Sequence, residues 1–169
     1  MNKYLVIVIM FVAAMLLGWI GQRTVAYIQF DRKCAGYLKR AADSNTVEMA
    51  VGELSIAVQY ATRHKLTTGY TSVLWTTPDE DVGFWYSNLT ASLKELRSVK
   101  PDAGQLEKTN VLMKLRETLL DSGEKGSTVI TVPNGITVYP NNTLYFWWGW
   151  LSWLAATALS IGLFIKEML

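Results

Sequence analysis

Few residues in this chain carry groups that could do covalent or metal chemistry. There is one cysteine, Cys34, and one histidine, His64, so a single chain cannot assemble a Cys/His metal cluster. The sequence contains no nucleophile–base pattern, no phosphate-binding glycine loop and no nucleophile elbow. We therefore predict no catalytic residues, no bound cofactor and no enzymatic activity.

The sequence has one cluster of acidic residues, formed by Asp79, Glu80 and Asp81. They follow Thr77 and Pro78, so a helix beginning here would have Thr77 at its N-cap and Pro78 at its first position. The positive end of a helix dipole favours acidic side chains there. We interpret the cluster as a helix cap, and the alternative is a divalent-cation site formed by the same three carboxylates.

An aromatic-rich segment, residues 69–86, surrounds this acidic cluster. Aromatic side chains often line ligand pockets, and Tyr70, Trp75 and Trp85 are the residues that we expect to line one here. The other interpretation is that the same rings close one end of a helical bundle. Both interpretations stay open at this stage.

The charged residues divide the chain into three parts. Of the thirty Lys, Arg, Asp and Glu residues, twenty-seven lie between Arg23 and Lys125. Residues 4–21 and 144–165 carry no charge, and as helices they would be about 27 Å and 33 Å long, which is enough to cross a bilayer. We predict transmembrane helices at residues 1–22, as an uncleaved signal anchor, and at residues 144–165, followed by a short tail at 166–169.

Small residues recur at helical spacing in both apolar runs. Such residues let helices approach closely in lipid, where close packing drives helix association. The contact predicted from them is either between the two spans or between subunits. The residues are Ala14, Gly18, Gly21, Gly149, Ser152, Ala156 and Ser160.

Residues 23–126 have the pattern of four amphipathic helices in a water-facing domain. The first should continue the first span without a break, with one apolar face formed by Tyr27, Phe30, Cys34, Tyr37 and Ala41. The short first and third links favour antiparallel neighbours, and hence an up-and-down four-helix bundle. The layout of a bundle between two spans resembles the ligand-binding half of bacterial chemoreceptors and sensor kinases.

Residues 127–140 predict a β-hairpin between the bundle and the second span. Two β-branched runs flank Pro133-Asn134-Gly135, which is a strong turn signal. A two-stranded ribbon has open edges that can pair with another chain. The residues predicted to make such an interaction are Val129, Ile130, Val132, Ile136, Val138 and Tyr139.

The predicted fold class is therefore a mainly α membrane protein. Two transmembrane helices flank an up-and-down four-helix bundle, with a short β-hairpin before the second span. The expected partners are the lipid bilayer and either further copies of the chain or other subunits of a membrane complex. The domain has fourteen basic and thirteen acidic residues between Arg23 and Lys125, a balance that counts against nucleic acid as a partner.

The function expected from this layout is that of a non-enzymatic membrane scaffold or sensor-like subunit. The alternative is a homo-oligomeric pore or channel lined by the second transmembrane helix. Neither apolar run contains an Asp, Glu, Lys, Arg or His, which counts against ion-coupled transport.

The orientation that we expect is two-pass in the cell membrane, with both termini cytoplasmic and the central domain outside. Lys3 and Lys166 favour it, whereas the basic residues that follow the first span favour the opposite orientation. The connecting segment is about 120 residues long, and segments of that length translocate largely regardless of their charge.

Overall fold

The computed structural model describes residues 3–122 and 127–168, without the side chains of residues 166 and 167. This part of the chain is mainly helical, with one small antiparallel sheet. The long helices are α1 (Lys3–Ala42), α2 (Val47–Arg63), α3 (Val82–Ser98), α4 (Gln105–Leu119) and α5 (Asn142–Met168). Residues 1, 2, 123–126 and 169, at the edges of the predicted first span, bundle and tail, lie outside the described residues.

Helix α1 runs unbroken from the first apolar run into the folded domain, but its predicted apolar face changes partway. A single π-turn at Asp31–Ala35 lets the Gly36 N–H bond to the Asp31 carbonyl, which inserts one residue into the helical repeat. The predicted Cys34 and Ala41 are buried together with Leu38 and Ala42, whereas Tyr27, which precedes the turn, is 61% exposed. The even period assumed from the sequence placed Tyr27 on the wrong face.

Beyond the first apolar run, four helical segments pack around one core. The part of α1 from residue 30 onward contacts α2 and α4, and α3 contacts α2 and α4, so the four form a closed ring. The links after α1 and α3 are short, which makes consecutive helices antiparallel. We call residues 30–122 the helical domain. Its fully buried leucines include Leu38, Leu54, Leu89, Leu96 and Leu119.

Helix α3 begins later than the sequence predicts. Thr77 precedes only a 3-10 turn at Pro78–Glu80, and its hydroxyl donates to the Glu80 carboxylate at 2.8 Å. Asp81 is extended, which ends that turn, and its carboxylate accepts the Phe84 N–H at 2.9 Å. Asp81 is therefore the N-cap of α3, and Thr77 is not.

The predicted hairpin around Pro133-Asn134-Gly135 is wrong in its pairing. Strand β2 (Thr128–Ile130) pairs instead with β1 (Leu120–Ser122), which directly follows α4, with Leu120 opposite Ile130. The run predicted as the second strand forms a 3-10 turn, Ile136–Val138, whose first and last side chains are buried. Burial of this turn against the helical core removes apolar surface from water, which a free ribbon would leave exposed.

Helices α1 and α5 are each long and apolar enough to cross a membrane, by length and composition. Only 6% of the most apolar window of each helix is buried within the protein, unlike the core helix of a soluble domain. Helix α5 starts two residues before the predicted span and continues through Met168, so residues 166–168 of the predicted tail are helical.

Shortening a core leucine should destabilise the domain, while shortening an exposed one should not. Leu54 is fully buried, and we expect Leu54→Ala to lower the free energy of unfolding by about 2–5 kcal/mol. Leu106, at the start of α4, is 75% exposed and supplies the matched control, Leu106→Ala. Chemical unfolding in a mild detergent, followed by circular dichroism, measures both, and equal effects would contradict the described core.

Candidate functional site

The two apolar helices contact each other through a pair of tryptophans that pack on glycines. A Cβ added at Gly149 would lie 2.9 Å from two ring atoms of Trp19, and one added at Gly18 would lie 3.3 Å from the Trp148 ring. Each helix thus gives one indole to the other and accepts one in return. Only glycine allows the Trp19 ring to lie this close to the α5 backbone.

Trp19 is held by polar contacts as well as by packing. Its indole N–H donates to the Tyr145 carbonyl at 2.8 Å, which joins α1 to the first turns of α5. The Arg23 guanidinium lies 5.0 Å from the centre of the Trp19 ring, within the range of a cation–π interaction. We call Gly18, Trp19, Tyr145, Trp148 and Gly149 the tryptophan clasp.

The small residues predicted to pack in the membrane divide into two groups. Gly18 and Gly149 lie in the tryptophan clasp, and Ser152 is completely buried one turn further along α5. Ala156 is half-buried, whereas Ala14, Gly21 and Ser160 are exposed. The first group therefore serves contact between the two apolar helices of one chain.

A second set of contacts joins the loop between α2 and α3 to the start of α5. The Asn142 side-chain amide donates to the Thr71 carbonyl at 2.8 Å and lies 3.4 Å from the Ser72 carbonyl. The Thr71 hydroxyl donates in turn to the Asn134 carbonyl. The loop is thereby tied to the segment that enters α5.

Tyr139 makes the neighbouring contact with the same loop. Its hydroxyl donates to the Thr68 carbonyl at 2.5 Å and passes close over Gly69. Gly69 has a positive φ of 91°, which favours glycine, and a Cβ there would overlap the Tyr139 hydroxyl. We call residues 65–81 and 133–145 together the base, since they join the helical domain to the start of α5.

Two of the three side chains in the acidic cluster, which lies within this base, make hydrogen bonds. Asp81 caps α3, Glu80 accepts from Thr77, and Asp79 is exposed. Among the described residues, no group of three His, Cys, Asp or Glu side chains is arranged to hold a metal ion. Two of the three carboxylates are thus used in hydrogen bonds, Glu80 with its own turn and Asp81 with the helix that it caps.

The three aromatic residues predicted to line a ligand pocket are separated. Trp85 is buried, and its indole N–H donates to the Thr131 carbonyl at 3.1 Å. It lines an open groove of about 410 Å³ whose rim carries Asp79, Asp81 and Asp121, but neither Tyr70 nor Trp75 lines this groove. Tyr70 is 42% and Trp75 is 73% exposed, at the edge and tip of the loop.

The six residues predicted to interact with a partner also have different surroundings. Val129, Ile130 and Val132 line the same groove as Trp85, and Val129 is 47% exposed. Ile136 and Val138 are buried within the protein, and Tyr139 packs against the core. Val129 is therefore the exposed member of the set, Ile130, Val132 and Tyr139 are half-buried against the core, and Ile136 and Val138 are buried.

Cys34 and His64, the two most reactive side-chain types in the sequence, are both held in structural contacts. Cys34 is fully buried in the helical domain, and burial raises the pKa of its thiol to about 12. The His64 ring stacks on Tyr60, with ring centres 4.1 Å apart. The cavity that His64 lines measures about 190 Å³, below the roughly 300–1,000 Å³ of typical ligand pockets.

The sequence did not identify the contacts of Trp19, Asn142 and Tyr139, which join elements more than seventy residues apart. One signal was present for the clasp, because each tryptophan lies in a run that also contains glycine at helical spacing. No pattern in the sequence pairs Asn142 with the loop that it caps. The structure alone brings these groups together.

Comparison with known proteins adds no relative, since no protein-family model, no curated protein and no solved structure matches this chain.

Adding one methyl group at Gly149 should open the tryptophan clasp. In Gly149→Ala the new Cβ would overlap the Trp19 ring, so we expect the ring to move, its bond to Tyr145 to break and the melting temperature in detergent to fall. Overpacking of this kind costs about 1–3 kcal/mol. Gly21→Ala, where nothing lies within 4 Å of the added Cβ, is the control. Equal melting temperatures for the two variants would contradict the clasp.

Removing the Asp81 carboxylate should destabilise α3, because the Phe84 N–H loses its acceptor. We expect Asp81→Ala to cost about 1 kcal/mol, the usual value for an N-cap, and the exposed Asp79→Ala to cost little. Thermal unfolding with and without Ca²⁺ or Mg²⁺ measures both effects. A cation-dependent stabilisation that both variants lose would instead support a cation site.

Proposed function

We propose that this protein is a two-span integral membrane protein that acts as a non-enzymatic scaffold or sensor-like subunit. The observation that carries the proposal is the continuity of α1, which is exposed and apolar over its first part and becomes part of a buried core beyond Phe30. An exposed apolar surface of that length is stable in lipid and unfavourable in water. Helix α5 presents the same kind of surface beside it.

The aromatic residues of α5 support the same placement. Tyr145, Trp147, Trp148, Trp150 and Trp153 occupy its first turns, and tryptophan and tyrosine concentrate at membrane–water interfaces. Arg23 lies beside Trp19 at the corresponding level of α1. Both features support a bilayer boundary near the tryptophan clasp, with the charged domain on one side of it.

The sensor-like part of the proposal is based on how the helical domain is attached. Helix α1 enters the core directly, and α5 is joined through Asn142 and Tyr139 to the loop that leads into α3. A change in the separation or tilt of the apolar helices would therefore act on two helices of the domain. A ligand or partner on the domain would act in the reverse direction by the same linkage.

We propose that the protein is not an enzyme because neither the Cys34 thiol nor the His64 ring is activated for catalysis. A thiol with a pKa near 12 is protonated at neutral pH and is not a nucleophile. The His64 ring contacts Tyr60, and burial together with the nearby Cys34 raises the pKa of that phenol, so it stays neutral. Neither arrangement resembles an activated catalytic pair.

The pore alternative has less support. The hydroxyls of Thr157 and Ser160 donate to carbonyls of their own helix at 2.9 Å. Their hydrogen-bonding needs are therefore met within the helix, and they do not require a water-filled lumen. Ser152 is fully buried in the chain. We therefore favour the scaffold or sensor-like function. We expect both termini to be cytoplasmic and the domain to lie outside. We also expect the protein to assemble with itself or with a membrane partner.

Topology can be tested by reaction of single introduced cysteines in intact cells. The native Cys34 is buried, so the unmodified protein is the blank. Leu106→Cys and Met168→Cys introduce thiols at positions that are 75% and 72% exposed. We expect an impermeant thiol reagent to label Leu106→Cys in intact cells and Met168→Cys only after permeabilisation, with the protein resisting alkaline extraction from membranes.

Two outcomes would contradict the proposal. Extraction of the protein by alkali would show that it does not span the membrane, and the reverse labelling pattern would overturn the orientation. Mass measurement of the intact particle from native membranes then gives its stoichiometry and partners. A large ring of identical subunits that conducts ions in planar bilayers would favour the pore instead.

A further inference from the structure

The tip of the loop between α2 and α3 carries exposed apolar side chains that the contacts described above do not use. Leu74 is 58% and Trp75 is 73% exposed, and Trp75 is the most exposed of the seven tryptophans. No charged residue occurs between Lys65 and Asp79, a span of thirteen residues. We call residues 72–77 the loop tip.

The structure places this tip beside the point where α5 leaves the helical domain. The carbonyls of Tyr70, Thr71 and Ser72 lie 3.5, 2.8 and 3.4 Å from the Asn142 side-chain nitrogen, and Asn142 is the first residue of α5. Leu74 and Trp75 are thus two and three residues from a fixed contact with the start of the second apolar helix.

The loop is also closed at its base, which holds both ends of the tip at this level. The Thr71 N–H donates to the Glu80 carbonyl at 3.0 Å, and the Val82 N–H donates to the Gly69 carbonyl at 2.9 Å. Helix α3 then begins at Val82 and leads to the opposite end of the domain. The short stretch between these closures therefore starts at a residue that contacts α5, Ser72.

The charges around the tip determine which surface it fits. Asp79, Glu80 and Asp81 follow it, and Lys65 precedes it, while the tip itself has only apolar, hydroxyl and aromatic side chains. Tryptophan prefers the headgroup region, where its ring is in an apolar environment and its N–H can still reach water or headgroup oxygens. An uncharged tip flanked by charged residues matches a bilayer surface into which only the tip enters.

We propose that the loop tip is an interfacial membrane anchor, in which Leu74 and Trp75 lie in the headgroup region of the bilayer that α5 enters. The inference rests on the proposed function, because it requires α1 and α5 to span that bilayer. Together with the two spans, the anchor gives the helical domain a third attachment to the membrane. The anchor is part of the loop that hydrogen-bonds to Asn142 and Tyr139. With one side of the domain held at the membrane in this way, the tilt of the domain is fixed.

The test uses an environment-sensitive fluorophore at three single cysteines in the full-length protein. Trp75→Cys reports on the tip, Leu106→Cys on the opposite end of the domain, and Phe164→Cys on a site in α5 that is 63% exposed. Each protein is placed, at one copy per disc, in lipid nanodiscs of phosphatidylcholine that contain a quencher attached either near the headgroup or deep in the acyl chain. The unmodified protein, with Cys34 buried, is the labelling blank.

We expect the probe at position 75 to be quenched most by the headgroup quencher, the probe at 164 most by the deep quencher, and the probe at 106 by neither. The quenching at 75 should exceed that at 106 several-fold, with an emission maximum shifted to shorter wavelength. All three substituted side chains are exposed, so the variants keep the buried core intact.

The remaining outcomes separate the failure of the anchor from the failure of the membrane assignment. If the probe at 164 is quenched and that at 75 behaves like that at 106, the two spans stand and the anchor is wrong. If the probe at 75 is shielded from water without quenching by lipid, the tip contacts protein, and the anchor is again wrong. If the probe at 164 is not quenched either, the proposed two-span function itself fails.

Discussion

The packing of Trp19 on Gly149 is the contact on which the rest of this structure depends. It sets the distance between the two apolar helices at the level where both reach the helical domain. The indole N–H also binds the Tyr145 carbonyl, so a single side chain fixes the approach of α5 in distance and along its axis. Any larger side chain at position 149 would push the helices apart at this level.

The helical domain is attached to this pair of helices in two different ways. Helix α1 continues into the core, and its π-turn rotates the later part so that Leu38 and Ala42 face inward. Helix α5 is joined instead through the hydrogen bonds of Asn142 and Tyr139 to the loop before α3. The attachment through α1 is a continuous helix, whereas the attachment through α5 consists of side-chain hydrogen bonds. We expect these hydrogen bonds to break first when the two apolar helices move relative to each other.

Much of the helical content could be predicted from the local sequence pattern. The errors occurred where the same local signal was compatible with more than one structure. The Pro133-Asn134-Gly135 turn signal is real, since Gly135 does have a positive φ, but the run after it is buried as a 3-10 turn. Strand β2 pairs with residues that follow α4, which propensity could not indicate because pairing depends on proximity in space. Likewise Thr77 begins a turn, and Asp81 caps the helix.

The sequence by itself determined the mainly helical content, the two long apolar helices and the charged segment between them, because periodicity and composition are properties of neighbouring residues. The tertiary structure decided which small residues meet an indole, which carboxylates cap a helix, and that Asn142 holds a loop seventy residues away in sequence. It also separated Tyr70, Trp75 and Trp85, which the sequence places close together. These outcomes depend on the register and rotation of packed helices, which one inserted residue in α1 is enough to change.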